Sequence, residues 1–236
     1  MTVHSLKERH LEQTLVWLFQ SYMSLEKRFQ GLFSEAIRAI VSALEAKDKY
    51  THGHSIRVSE YALLIGRALK LSDEELIHLE VGALLHDIGK IGTPEHILTK
   101  PDRLTKEEFE IMKEHPVKSA EILSHIELLK EVVPIVKYHQ ERMDGLGYPD
   151  GLKGKQIPLL ARAVLIADAF DAMTSDRPYR KALPENTAYE ELIRCSGDQF
   201  DEELVKIFIA EHKKKKHLPS ESHFFIKKPK RKAVGE

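Results

Sequence analysis

Residues 81–92 read VGALLHDIGKIG, an unbroken apolar run that ends on an imidazole, a carboxylate and, three residues later, an ammonium. A run like this belongs in a core. Just upstream, Ser72 and Glu75 have the spacing of a capping box, so the apolar stretch from Leu76 to Leu85 is predicted as a buried helix carrying His86 and Asp87 at its end. An unpaired carboxylate in a low-dielectric region is costly, so Asp87 calls for a cation. A metal ion is the simplest partner and Lys90 is the rival. A carboxylate has two oxygens and can bridge two cations, whereas an imidazole binds one, so this dipeptide can anchor a dinuclear centre.

Working outward, the chain from Glu35 onward keeps giving helix signals and almost no alternating strand pattern. Thr105 and Glu108 repeat the capping-box spacing. Gly and Pro cluster at Gly92 to Pro94, Pro101, Gly145 to Gly154 and Pro178 to Pro184, so breaks between helices fall beside the histidine and aspartate motifs. The fold class is therefore all-α. Upstream, Leu11, Leu15, Leu18, Tyr22, Leu25, Phe29, Leu32 and Ala36 recur in alternating steps of four and three, the seam of a coiled coil. The segment reads as an extended N-terminal helix. It either dimerises through that seam or, with Trp17, Phe19 and Phe33 widening the stripe, folds back on its own domain. The expected organisation is a helical extension over 1–33, a catalytic domain over 34–211 and a basic tail over 212–236.

The composition limits the function classes. The chain has 236 residues, 42% hydrophobic and 31% charged, with a formal net charge of -1. That suits one soluble catalytic domain and gives no global pull toward nucleic acid. The lysines at 213–216 and 227–232 read as a solvated tail. One cysteine, Cys195, can form neither an internal disulfide nor a thiolate cluster, as expected for a reducing cytoplasm. The apolar run from Leu15 to Phe19 is too short to span a bilayer.

Thirteen histidines are more than such a chain needs. His4, His10, His78, His125, His212, His217 and His223 sit in surface-like or tail sequence and receive no role. The metal-competent residues are His54, His86, Asp87, His115 before Pro116, His139, and Asp168. The stretch from Ala161 to Ala172 is apolar apart from Arg162, Asp168 and Asp171, so one of its two acids should face a metal while the other caps or forms a salt bridge, with Arg177 and Arg180 close by in sequence.

These motifs carry a family resemblance. His86-Asp87-Ile88-Gly89-Lys90-Ile91-Gly92 is similar to the HD motif, and Asp144-Gly145-Leu146-Gly147-Tyr148-Pro149 to the GYP signature. The chain thus resembles an HD-GYP domain from about Ser34 to Glu211. The resemblance implies a compact HD-type helical bundle and a cyclic di-GMP phosphodiesterase that yields linear pGpG, with onward cleavage to GMP left open. It implies two divalent metal ions, iron or manganese by family habit, on His54, His86, Asp87, His115, His139 and Asp168, with Asp87 as the bridge. Two departures matter. Gln140 stands where the family often has a second histidine, leaving a weak amide ligand or water in its place. Tyr50 stands where members with three metals carry a glutamate, so two metals are expected.

In this reading the ions activate water for in-line attack on a phosphodiester. Lys90 stabilises the developing charge or helps protonate the leaving oxygen, the alternative being a structural salt bridge to Asp87. Arg177, Arg180 and Tyr148 are the expected substrate contacts. The GYP loop around Tyr148 is a shaped rim or a docking surface for a partner such as a diguanylate cyclase. Two rival readings remain: an HD phosphohydrolase for another cyclic nucleotide, and a cyclic di-GMP-binding module with little turnover.

Overall fold

The helix over residues 76–85 forms as its pattern predicts, and its start explains why. Ser72 Oγ accepts from the Glu75 backbone N–H at 3.3 Å, and the Ser72 N–H donates back to Glu75 Oε2 at 2.8 Å. Two donors that a helix start leaves orphaned are thereby satisfied. Thr105 and Glu108 do the same, at 3.2 and 2.7 Å. The computed structural model describes the backbone of residues 3–47, 53–176 and 181–215, and the side chains of 13–47, 53–176 and 181–214. Tyr50, Arg177 and Arg180 lie outside the described residues, as does nearly all of the lysine-rich tail.

The helices in chain order are α1 (Val3–Lys47), α2 (His54–Ala68), α3 (Asp73–Leu85), α4 (Glu95–Leu98), α5 (Lys106–Met112), α6 (His115–Ser124), α7 (Val133–Tyr138), α8 (Leu159–Thr174), α9 (Glu185–Arg194) and α10 (Glu202–Lys215). A 3-10 turn over Ile88–Gly92 follows α3. No strand occurs among the described residues, so the all-α expectation holds. None of the described helices is long and apolar enough to cross a membrane.

The chain divides into two units, Met1–Ala39 and Ile40–Glu236. In the first, α1 exposes Leu15, Trp17, Leu18, Phe19, Tyr22, Leu25, Phe29 and Leu32, each by half or more of its surface. In the second, α2 packs on α3 and α8, and α10 on α2. Val58, Ile65, Leu79, Ile135, Val164, Ile166, Phe170, Leu192 and Phe208 fill the centre. Each fully buried side chain of this size contributes about 1.5–3 kcal/mol relative to exposure. His212 corrects its surface-like reading: it is buried on α10, within hydrogen-bonding distance (2.7 Å) of the Tyr189 hydroxyl and among the rings of Tyr61, Phe170 and Phe208. Aromatic neighbours distant in sequence created that site, and local polarity around His212 gave no sign of them.

Candidate metal centre

The core helices aim their ends at one point. His86 follows the last residue of α3, His115 opens α6, His139 follows α7, His54 opens α2, and Asp168 sits within α8. The structure brings all of these sequence-selected residues together around Asp87, whose two oxygens divide the imidazoles. Oδ2 lies 3.3 Å from His86 Nε2 and 3.9 Å from His54 Nε2. Oδ1 lies 3.3 Å from His115 Nε2 and 4.0 Å from His139 Nε2. Asp168 Oδ1 approaches His54 Nε2 at 3.4 Å. Two trios with converging donor atoms result, His54–His86–Asp87 and Asp87–His115–His139, and they share the one carboxylate.

Close packing keeps this geometry. Ser119 on α6 donates its hydroxyl to the His86 carbonyl at 2.9 Å and accepts from the Gly89 N–H at 2.8 Å, tying the turn after α3 to the helix that His115 opens. A Cβ on Gly89 would sit 2.0 Å from the His115 carbonyl oxygen, so only glycine fits there. Gln140 donates its amide N–H to Asp168 Oδ2 at 3.2 Å.

The electrostatics follow from burying carboxylates among imidazoles. Burial opposes charge on His86, but Asp87 and Asp168 outweigh it and raise the ring to about 9. Burial drives His115 down to about 4 despite Asp87, and burial plus the neighbouring His86 and His115 charges drives His139 to about 3. Against their own burial, Asp87 and Asp168 stay below the ordinary carboxylate range, Asp87 through His86 and Lys90 and Asp168 through His54 and His86. Two buried carboxylates kept ionised in this way call for cations beside them. Lys90 Nζ meets part of that demand, 2.6 Å from Asp87 Oδ2. His86 Nε2 is fully buried and makes no well-aligned hydrogen bond, although Asp87 Oδ2 lies 3.3 Å away, and an imidazole nitrogen so placed fits a metal ligand. Histidine and carboxylate donors suit iron, manganese or zinc by ligand type.

The GYP loop folds back on the segment that carries His139. Buried Glu141 accepts through Oε1 from the N–H groups of Asp150 and Gly151 at 2.7 and 2.9 Å, and the Tyr148 N–H donates to the Gln140 carbonyl at 3.2 Å. Tyr148 lands 6.3 Å, ring to ring, from His115. Burial, then the charges of Asp87 and Asp168, push its phenol above the ordinary range, so it keeps its proton.

Arg57, Ser119 and Glu141 are contributors that escaped sequence reading. Asp171 accepts from His54 Nδ1 at 2.7 Å and from Arg57 at 2.5 and 3.0 Å. It is the acid of the 161–172 stretch that pairs with an arginine, but that arginine is Arg57, from a distant part of the chain. The i, i+3 spacings of His54 with Arg57 and of Asp168 with Asp171 place each pair on one helix face, a signal that was available. Ser119 and Glu141 act through backbone groups, which sequence does not reveal.

An HD domain family model matches residues 38–204. The chain is 40% identical over 205 residues to the cyclic di-GMP phosphodiesterase response regulator RpfG of Xanthomonas campestris pv. campestris, covering 85% of this chain and 52% of the relative. It is 39% identical over 169 residues to a 3'3'-cGAMP-specific phosphodiesterase of Vibrio cholerae, covering 72% of this chain and 36% of that one. A crystal structure described as a cyclic GMP-AMP specific phosphodiesterase of V. cholerae shares the fold, with a TM-score of 0.61 at 24% identity over 76% of this chain and 48% of that chain. This chain spans about half the length, or less, of these curated relatives.

Proposed function

The chain belongs to the HD domain family, and on that premise we propose that it is a metal-dependent phosphodiesterase that opens cyclic di-GMP to linear pGpG, with a second cleavage to GMP open to the same site. The observation that carries this reading is the division of four buried imidazoles between the two oxygens of Asp87. His54, His86, Asp87 and Asp168 would hold one divalent ion, and Asp87, His115 and His139 a second, iron or manganese by resemblance. When bound, such ions supply Lewis-acid neutralisation of phosphate oxygens and activation of water as the nucleophile.

The chain's own groups do the rest. Lys90 holds a proton at Nζ beside Asp87, placed to neutralise phosphate or to protonate the leaving sugar oxygen. Tyr148 offers a protonated hydroxyl and a flat ring beside His115. Arg177 and Arg180 keep their proposed phosphate contacts on the resemblance alone. Gln140, bonded to Asp168, orients that carboxylate or serves as a weak ligand.

The similarity to a 3'3'-cGAMP-specific relative supports a second reading, in which one guanine site takes adenine. Steady-state kinetics on cyclic di-GMP and 3'3'-cGAMP decides between them. The proposal expects a higher kcat/KM for cyclic di-GMP, and the reverse order overturns the substrate assignment.

The exposed apolar seam of α1 supports a homodimer formed through that helix, since monomers seldom expose contiguous apolar surface of this extent. Leu146, 78% exposed at the tip of the GYP loop, supports that loop as a docking point for a partner such as a diguanylate cyclase.

A further inference from the structure

We propose that Asp171, gripped by Arg57, is the positioning residue that sets the tautomer of His54 and so governs occupancy of one half of the metal centre. This inference rests on the metal-dependent reading above.

An imidazole can bind a cation through Nε2 only if the remaining ring proton sits on Nδ1, and that proton needs an acceptor. Three of the four histidines find one in their own backbone. Nδ1 of His86, His115 and His139 lies 2.7, 2.7 and 2.8 Å from the carbonyls of Ala83, Met112 and Val136, each three residues earlier in the last turn of a helix. Helix ends leave such carbonyls unpaired, so the local fold supplies the acceptor.

His54 stands on the other side of this divide. It opens α2, with Gly53 before it in the left-handed conformation at φ 70°. Its Nδ1 partner comes from α8 instead: Asp171 Oδ2 at 2.7 Å. The same helix offers Asp168 Oδ1 to Nε2 at 3.4 Å, so two carboxylates three residues apart hold the two nitrogens of one ring. Arg57 fixes Asp171 in turn, donating from Nε to Oδ1 at 2.5 Å and from Nη2 to Oδ2 at 3.0 Å. The Asp171 side chain is only 2% exposed, so water is a poor substitute for this acceptor.

The four histidines therefore differ in what fixes them. Three are set by backbone that substitution cannot remove, and one by a side chain that substitution can. Disturbing Asp171 should loosen the His54–His86–Asp87–Asp168 half and spare the Asp87–His115–His139 half.

The test is a Mn(II) titration of the full chain and of Asp171→Asn, read by calorimetry and electron paramagnetic resonance. It is paired with nitrogen-15 spectra of the histidine rings in the metal-free protein at alkaline pH. An asparagine amide cannot accept from His54 and from both Arg57 donors at once. The expected result is two ions on the unaltered chain, one of them weakened roughly 10–100-fold in the variant and the other unchanged, with His54 losing its Nδ1–H tautomer. Arg57→Gln, which keeps the acceptor but loses its tether, should give a smaller loss at the same ion and guards against a variant that fails to fold. Equal weakening of both ions, weakening of neither, or retention of the Nδ1–H tautomer in Asp171→Asn overturns the inference. Fewer than two ions on the unaltered chain would instead overturn the dinuclear reading, leaving the metal-free tautomer spectra to decide this one.

Discussion

Each oxygen of Asp87 keeps its own pair of imidazoles, and the residues around it serve to hold that division in place. Ser119 is one such residue, bonding both to the His86 carbonyl and to the Gly89 N–H inside the core. Ser119→Ala removes a partner from two buried backbone groups and should cost about 1–3 kcal/mol, read as a lower urea midpoint. Gly89→Ala should cost about 3 kcal/mol in the same assay, because its Cβ meets the His115 carbonyl and Ser119 N at 2.0 and 2.6 Å and neither is a flexible side-chain end. At this scale the acid, its lysine and the four imidazoles were legible because each is chemically conspicuous in an apolar or motif-bearing stretch. Asp171 was visible only as one of two acids, and its partner could not be named, since a contact across 114 residues leaves no local trace. Ser119 left no trace either, because serine in a helix is ordinary.

Helix starts were the most legible elements. Both capping boxes read from the sequence are present, since a box is a contact between residues three apart and needs nothing from the rest of the fold. The start of α10 shows what such local reading misses. Asp201 accepts at Oδ1 from the N–H groups of Glu203 and Leu204, while its Oδ2 takes a short hydrogen bond from Arg162 on α8. Despite burial, Arg162 holds the Asp201 carboxyl below its ordinary value. The sign follows: a carboxyl lowered in the folded state binds its proton more readily unfolded. Its stabilising effect is present above the unfolded value of about 3.9 and is lost as pH falls through the folded one. Asp201→Asn keeps a capping side chain but loses the ionic partner. Its stability deficit against the unaltered chain should be full at neutral pH and shrink below about pH 4 in urea unfolding. A deficit that does not change with pH would show that Asp201 acts as a cap alone.

At the scale of the whole molecule, the all-helical class of the described residues followed from recurring helix signals with almost no alternating pattern, and the motif spacing marked out the region that matches the HD domain family. Which helices pack together, and the burial of His212 among aromatic rings, depend on contacts between distant segments and were not legible. The apolar seam of α1 was legible, and its exposure leads to a direct expectation: the chain sediments as a dimer, and Leu18→Lys with Leu25→Lys shifts it toward monomer. A monomeric unaltered chain would remove the dimer from the account.

The central claim is that Asp87 joins two metal ions into a centre that hydrolyses cyclic di-GMP. The measurement that tests it most directly is anaerobic purification with iron or manganese, a metal count per chain, and chromatography of cyclic di-GMP beside an Asp87→Ala control. The account predicts two ions and metal-dependent turnover in the unaltered chain, and loss of both in the control. A metal-loaded chain that leaves cyclic di-GMP intact, or a control that still turns it over, would contradict it.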